Sequence, residues 1–197
     1  MRYFPTIQAK PSSSIEEFIT YWRKLYVDTN ERLYSDNIKV SKFDAKNITQ
    51  LFHWKNGMTL TGSGGKEISL NNKILARLDV INKLKNGDDF DIDEFNNEFK
   101  DVSAVWRIFL LHVIQPERYP IYDQHTHRTY TFINNQKWDA VTNVLPDKIK
   151  LDFYFKEYLP FIQQLEVEDL KALDEALFAF GQFLNTRKQG RLFSGLL

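Results

Sequence analysis

The sequence predicts an all-α fold of about eight helices in two lobes. Two observations carry that expectation: apolar residues recur at helical rather than strand spacing through most of the chain, and helix-starting and helix-stopping residues bracket those runs. The 197 residues suit one domain, 1–197, with possible lobes at 41–137 and at 14–34 with 147–197. With 43% hydrophobic and 15% aromatic residues, including 16 Phe, the chain can fill a thick core, and the composition excludes disordered, collagenous and membrane-embedded classes.

The elements follow in order. Ser14-Ile-Glu-Glu17 reads as a capping box opening a helix whose Ile15, Phe18, Ile19, Trp22, Leu25 and Tyr26 share one face. A second helix is expected from about Ser41 towards Gly57, with Ile48, Leu51 and Phe52 inward. The glycine-rich stretch 61–65 reads as a flexible loop. It precedes a helix capped near Ser69 that carries Ile74, Leu75, Leu78 and Ile81 inward and stops at Gly87. The acidic stretch 88–93 opens a short helix. Ser103 to Gln115 is almost wholly apolar and predicts a central buried helix ended by Pro116, and Asp123 starts the next. Two further helices are expected, Asp147 to Leu165, bent or broken before Pro160, and Val167 to about Arg187.

Charge and cysteine content narrow the function. Twenty-six basic and 26 acidic side chains give zero formal charge, which argues against a generally basic nucleic-acid binder. Zero cysteines exclude disulfides, Cys-ligated zinc, iron–sulfur clusters and a thiol nucleophile. No signal-like leader and no bilayer-length apolar run stand in the sequence, so a cytoplasmic location and no membrane partner are expected.

Several local patterns resemble ligand motifs and fail on inspection. Gly62, Gly64, Gly65 and Lys66 suggest a phosphate loop, but Leu60 stands where that motif needs its first glycine and Glu67 replaces the hydroxyl residue. Asp89, Asp91 and Asp93 have calcium-loop spacing, but Glu94 occupies the required glycine and Lys100 the bidentate glutamate. Asp123, His125 and His127 do not make a metal triplet, since on a helix the i+2 residue points away from i and i+4. No metal or other cofactor is therefore expected. His53 and His112 read as packed or hydrogen-bonded core groups.

The segment with most chemical content is 103–128, SAVWRIFLLHVIQPERYPIYDQHTHR: a buried helix, a proline-containing loop, Tyr119-Pro-Ile-Tyr-Asp123, then a helix bearing His125 and Arg128. It resembles the helix-hairpin-helix DNA glycosylase superfamily, in which a buried helix leads to Φ-P-Φ-Φ-D, with Φ apolar or aromatic, and then to a D-x-H-x-x-R helix start. The resemblance implies a monofunctional glycosylase with Asp123 as the catalytic carboxylate and His125 and Arg128 supporting it or contacting the nucleic-acid backbone. DNA is then the partner, met by Ser103 at the hairpin exit and by Arg118, Arg128, Arg187, Lys188 and Arg191. The chemistry is coherent. Breaking an N-glycosidic bond builds positive charge on the sugar of a flipped-out nucleotide, and a helix-capping carboxylate is suited to stabilising that charge or orienting water. It is less suited to donating a proton to the leaving base.

The chain departs from the family pattern at two places. The hairpin before the buried helix, typically L-P-G-V-G, reads Phe99-Lys-Asp-Val102-Ser103 without either glycine, and Val105 stands where bifunctional members carry a Schiff-base lysine. Strand cleavage through such an adduct is not expected. A second function from another class is a catalytically inert helical module that binds DNA or a protein on the same scaffold.

Overall fold

A computed structural model describes residues 14–87, 90–135 and 145–185. Every regular element among them is helical, as expected of an all-α chain. In order they are α1 (Ile15–Trp22), α2 (Glu31–Ile38), α3 (Ala45–Asn56), α4 (Gly65–Lys73), α5 (Leu78–Asn86), α6 (Ile92–Glu98), α7 (Ala104–Ile114), α8 (Gln124–Asn135), α9 (Asp147–Phe153), α10 (Leu159–Gln164) and α11 (Leu170–Leu184). The chain divides into two units. Asp28–Tyr119 forms one, and the described residues before Asp28 and after Tyr119 form the other, here called the split unit. Among the described residues no helix is long and apolar enough to cross a membrane.

In the 28–119 unit, α7 is the buried helix that its composition predicts. Ile108, Phe109, Leu110, Leu111 and Val113 are wholly inaccessible, and the helix stops at Ile114 because Gln115 precedes a proline and leaves the helical conformation, with φ −133° and ψ 69°. Phe52 of α3 packs edge-on to Trp106 and Phe109 of α7. The helix expected from Ser41 starts instead at Ala45, where Asp44 and Asn47 cap each other reciprocally, and it ends at Gly57 in the left-handed conformation. The cap expected near Ser69 lies inside α4. That helix starts at Gly65, so part of the supposed flexible loop is already helical. Helix α2 is an addition to the sequence reading.

In the split unit, α1 lies along α11, with Trp22 against Phe180 and Phe183 and Phe18 edge-on to Phe180. Ser14 caps α1 by accepting the Glu17 N–H at 3.2 Å. Leu25, expected on the inner face, is 52% exposed: the chain tightens into a 3-10 turn over Arg23–Leu25, which breaks the 3.6-residue periodicity. Between α9 and α10 the backbone widens into a π turn, Tyr154–Tyr158, closed by Leu159 N–H to Tyr154 O. Pro160 follows as the second residue of α10. It has no N–H to give Lys156 and its ring would press on that carbonyl, so the widened turn is how this helix keeps a proline without breaking. The last helix starts at Leu170, three residues after the expected Val167, where the Asp169 carboxylate accepts the Ala172 N–H at 2.9 Å.

Candidate functional site

The site is built around the first turn of α8, in the split unit. Asp123 is half-buried, and its Oδ1 accepts the N–H groups of His125 (2.7 Å) and Thr126 (3.0 Å), two of the four donors that a helix start leaves without intrahelical partners. Thr126 returns the contact, its hydroxyl accepting the Asp123 N–H at 2.9 Å. The carboxylate is thereby fixed in direction by backbone geometry.

The loop that delivers Asp123 is buried and irregular, so its carbonyls need partners from elsewhere. The π turn supplies them: the Tyr154 hydroxyl donates to Pro120 O at 3.0 Å and the Tyr158 hydroxyl to Ile121 O at 3.2 Å. Burial, followed by the negative charge of Asp174, pushes the Tyr158 phenol well above its ordinary pKa and keeps it a donor, and Thr126 lies beside it. Tyr122 completes the loop, its hydroxyl 2.6 Å from His127 Nδ1. Burial, then the adjacent Arg128 charge, lowers His127 to a pKa of about 4, while burial and the charge of Asp123 raise Tyr122. The phenol is therefore the donor and a neutral imidazole the acceptor.

His125 and Arg128 sit beside Asp123 but are held by other partners. Arg128 is 3% exposed, and its Nη1 donates to Gly181 O (2.8 Å) and to His125 Nδ1 (3.2 Å). Gly181 O is among the last four carbonyls of α11, which lack intrahelical donors, so the guanidinium caps a helix C-terminus and meets the negative end of its dipole. Burial lowers the Arg128 pKa and the charge of Asp123 acts against that shift. His125 is half-buried with its ring edge-on to Phe178 at 4.8 Å. The two helices meet so closely here that a Cβ on Gly181 would fall against the backbone carbonyl of His125. Arg128 is thus a buried tie between α8 and α11, placed where it cannot reach a phosphate as a surface cation would.

The other predicted contacts lie apart from this constellation. In the 28–119 unit, α6 and α7 are joined by a tight turn, Val102 N–H to Phe99 O at 3.0 Å, with Phe99 and Val102 buried as anchors. Ser103 is exposed at the start of α7 and makes no side-chain cap. Two basic side chains reach this turn from α4 and the residues after it: Lys73 Nζ donates to Asp101 O at 2.7 Å, and Arg77 grips the Asp101 carboxylate at 2.8 and 3.2 Å, holding its pKa below the usual carboxylate range. Arg118 is exposed with its guanidinium 5.3 Å from the Tyr119 ring centroid. Arg187, Lys188 and Arg191 lie outside the described residues, as does Asp89.

The glycine-rich loop has its own answer. Gly62 and Gly64 both take positive φ, 73° and 62°, and the Gly62 N–H is bound by the Glu67 carboxylate at 2.7 Å, where a phosphate loop would place its ligand. His112 is a core group, with Nε2 2.7 Å from the Tyr34 hydroxyl and Nδ1 2.8 Å from Tyr119 O. Among the described residues no group of three or more His, Cys, Asp or Glu side chains is placed to hold a metal. No family model, curated protein or solved structure matches the chain.

Sequence reasoning placed Asp123 at a helix start but missed what holds it. Tyr154, Tyr158 and Gly181 belong to the site through contacts that no local pattern encodes, although a glycine inside the apolar run of α11 is itself a sign of close helix approach.

Proposed function

We propose that the chain is a monofunctional DNA glycosylase-like hydrolase with Asp123 as its carboxylate. The observation that carries the reading is the Asp123 cap itself: a half-buried carboxylate directed by two backbone N–H bonds at a helix start, at the end of a Φ-P-Φ-Φ-D loop. As the bond between C1′ and the base nitrogen breaks, its electron pair leaves with the base and positive charge grows on the sugar. A fixed carboxylate stabilises that charge and directs water to C1′, the proton that the water gives up ending on the departed base, and because the cap is already formed it needs no reorganisation at the moment of reaction. Val105 offers no amine for a Schiff base, so the product is an intact abasic strand.

The test incubates the protein with duplexes carrying damaged or modified bases and then treats them with alkali. Cleavage above that of Asp123→Asn supports the reading, and equality across a broad panel overturns it. A second reading, a catalytically inert helical module that binds DNA or a protein, draws on the engagement of Arg128 by Gly181 O and of Arg77 by Asp101. It predicts salt-dependent DNA binding, or capture of a protein partner, that Asp123→Asn leaves unchanged.

A further inference from the structure

We propose that Tyr154 and Tyr158 are positioning residues for Asp123, with the π turn that precedes Pro160 acting as the latch that holds them. The loop Pro120–Asp123 is irregular, and two of its buried carbonyls, Pro120 O and Ile121 O, accept from these two phenols. The phenols reach the loop from 34 and 37 residues away in sequence. Tyr158 also lies beside Thr126, whose hydroxyl accepts the Asp123 N–H and whose own N–H binds the carboxylate. A continuous chain of contacts thus runs from the π turn through Tyr158 and Thr126 to Asp123. The turn exists where Pro160 forbids regular α-helical bonding, which gives an otherwise costly backbone irregularity a use at the site.

The positioning itself stands on geometry, and its catalytic meaning rests on the glycosylase reading. The experiment therefore has two arms, both on the full chain. In the first, amide hydrogen exchange is compared among wild type, Tyr158→Phe, Tyr154→Phe and Ala176→Gly, the last a destabilised control in α11. With the latch, exchange at His125 and Thr126 accelerates in the Phe variants by about tenfold beyond the acceleration at α11 amides, as loss of one net hydrogen bond implies. In Ala176→Gly it accelerates alike at both places. Exchange at His125 and Thr126 that merely tracks α11 in both Phe variants overturns the proposal. In the second arm, base excision by Tyr158→Phe loses kcat while KM stays within about twofold of wild type, the signature of a misdirected group and not of lost binding. If wild type excises nothing, the glycosylase reading falls and the first arm still decides the latch. If wild type excises and Tyr158→Phe keeps full kcat, the latch falls and the reading stands.

Discussion

Two loop-to-helix junctions invite comparison, the turn into α7 and the loop into α8. The first is short and closed by one backbone bond from Val102 to Phe99 and two apolar anchors, with an exposed uncapped Ser103, and its distant partners, Lys73 and Arg77 on Asp101, make exposed contacts at the surface. The second is held from several directions, by a reciprocal Asp123–Thr126 cap, two phenols from the π turn, the Tyr122–His127 bond and the Arg128 tie to α11. A junction that only has to turn the chain can leave its distant partners at the surface. One that fixes a carboxylate in direction uses buried partners from distant segments.

That contrast can be broken by substitution. Gly181→Ala should be the most damaging change, because the clash is with backbone and cannot be relieved by a rotamer; a loss of about 3 kcal/mol or more is expected in urea unfolding. The imidazole of His127 comes next. Its folded pKa of about 4 lies below the ordinary 6.5, so stability is fully present above about pH 6.5 and is lost as pH falls towards 4, by about 3 kcal/mol. The Tyr122→Phe, His127→Phe double variant should flatten that part of the pH–stability profile. Arg128→Met should cost about 2 kcal/mol through the orphaned Gly181 carbonyl and loosen His125, seen as broadened ring signals in proton spectra. Asp123→Ala should cost about 1 kcal/mol as a lost N-cap. Ser103→Ala at the α7 junction should fall within about 0.5 kcal/mol of wild type in the same assay, since the hydroxyl caps nothing. If Ser103→Ala and Asp123→Ala prove equal, the contrast between the junctions is gone.

The sequence spoke clearly where physics is local. The apolar run of α7, the Asp123 helix start and the disturbance before Pro160 can each be read from a few consecutive residues. Helix α2 was missed because only Tyr34 and Ile38 are buried along it and Asn30 makes no side-chain cap, so neither periodicity nor boundary stands out. Leu25 was misplaced because a 3-10 turn resets the helical phase without any glycine or proline to announce it. At the candidate site, residue type marked Asp123 as a helix start, but the contacts of Arg128 and the two phenols depend on which distant carbonyls they meet. An arginine five residues after an aspartate reads equally well as a phosphate contact and as a helix cap, and only its 2.8 Å bond to Gly181 O separates the two.

The Glu67 carboxylate on the Gly62 N–H has a consequence for selectivity. A tethered acceptor competes with free ligands at an effective concentration on the order of millimolar. A phosphate arriving at this loop would have to evict a negative charge that the chain carries with it and would feel its repulsion while doing so. The glycine-rich segment is in effect a receptor supplied with its own antagonist. Its positive-φ backbone serves to seat a side chain five residues away and leaves nucleotides no easy purchase.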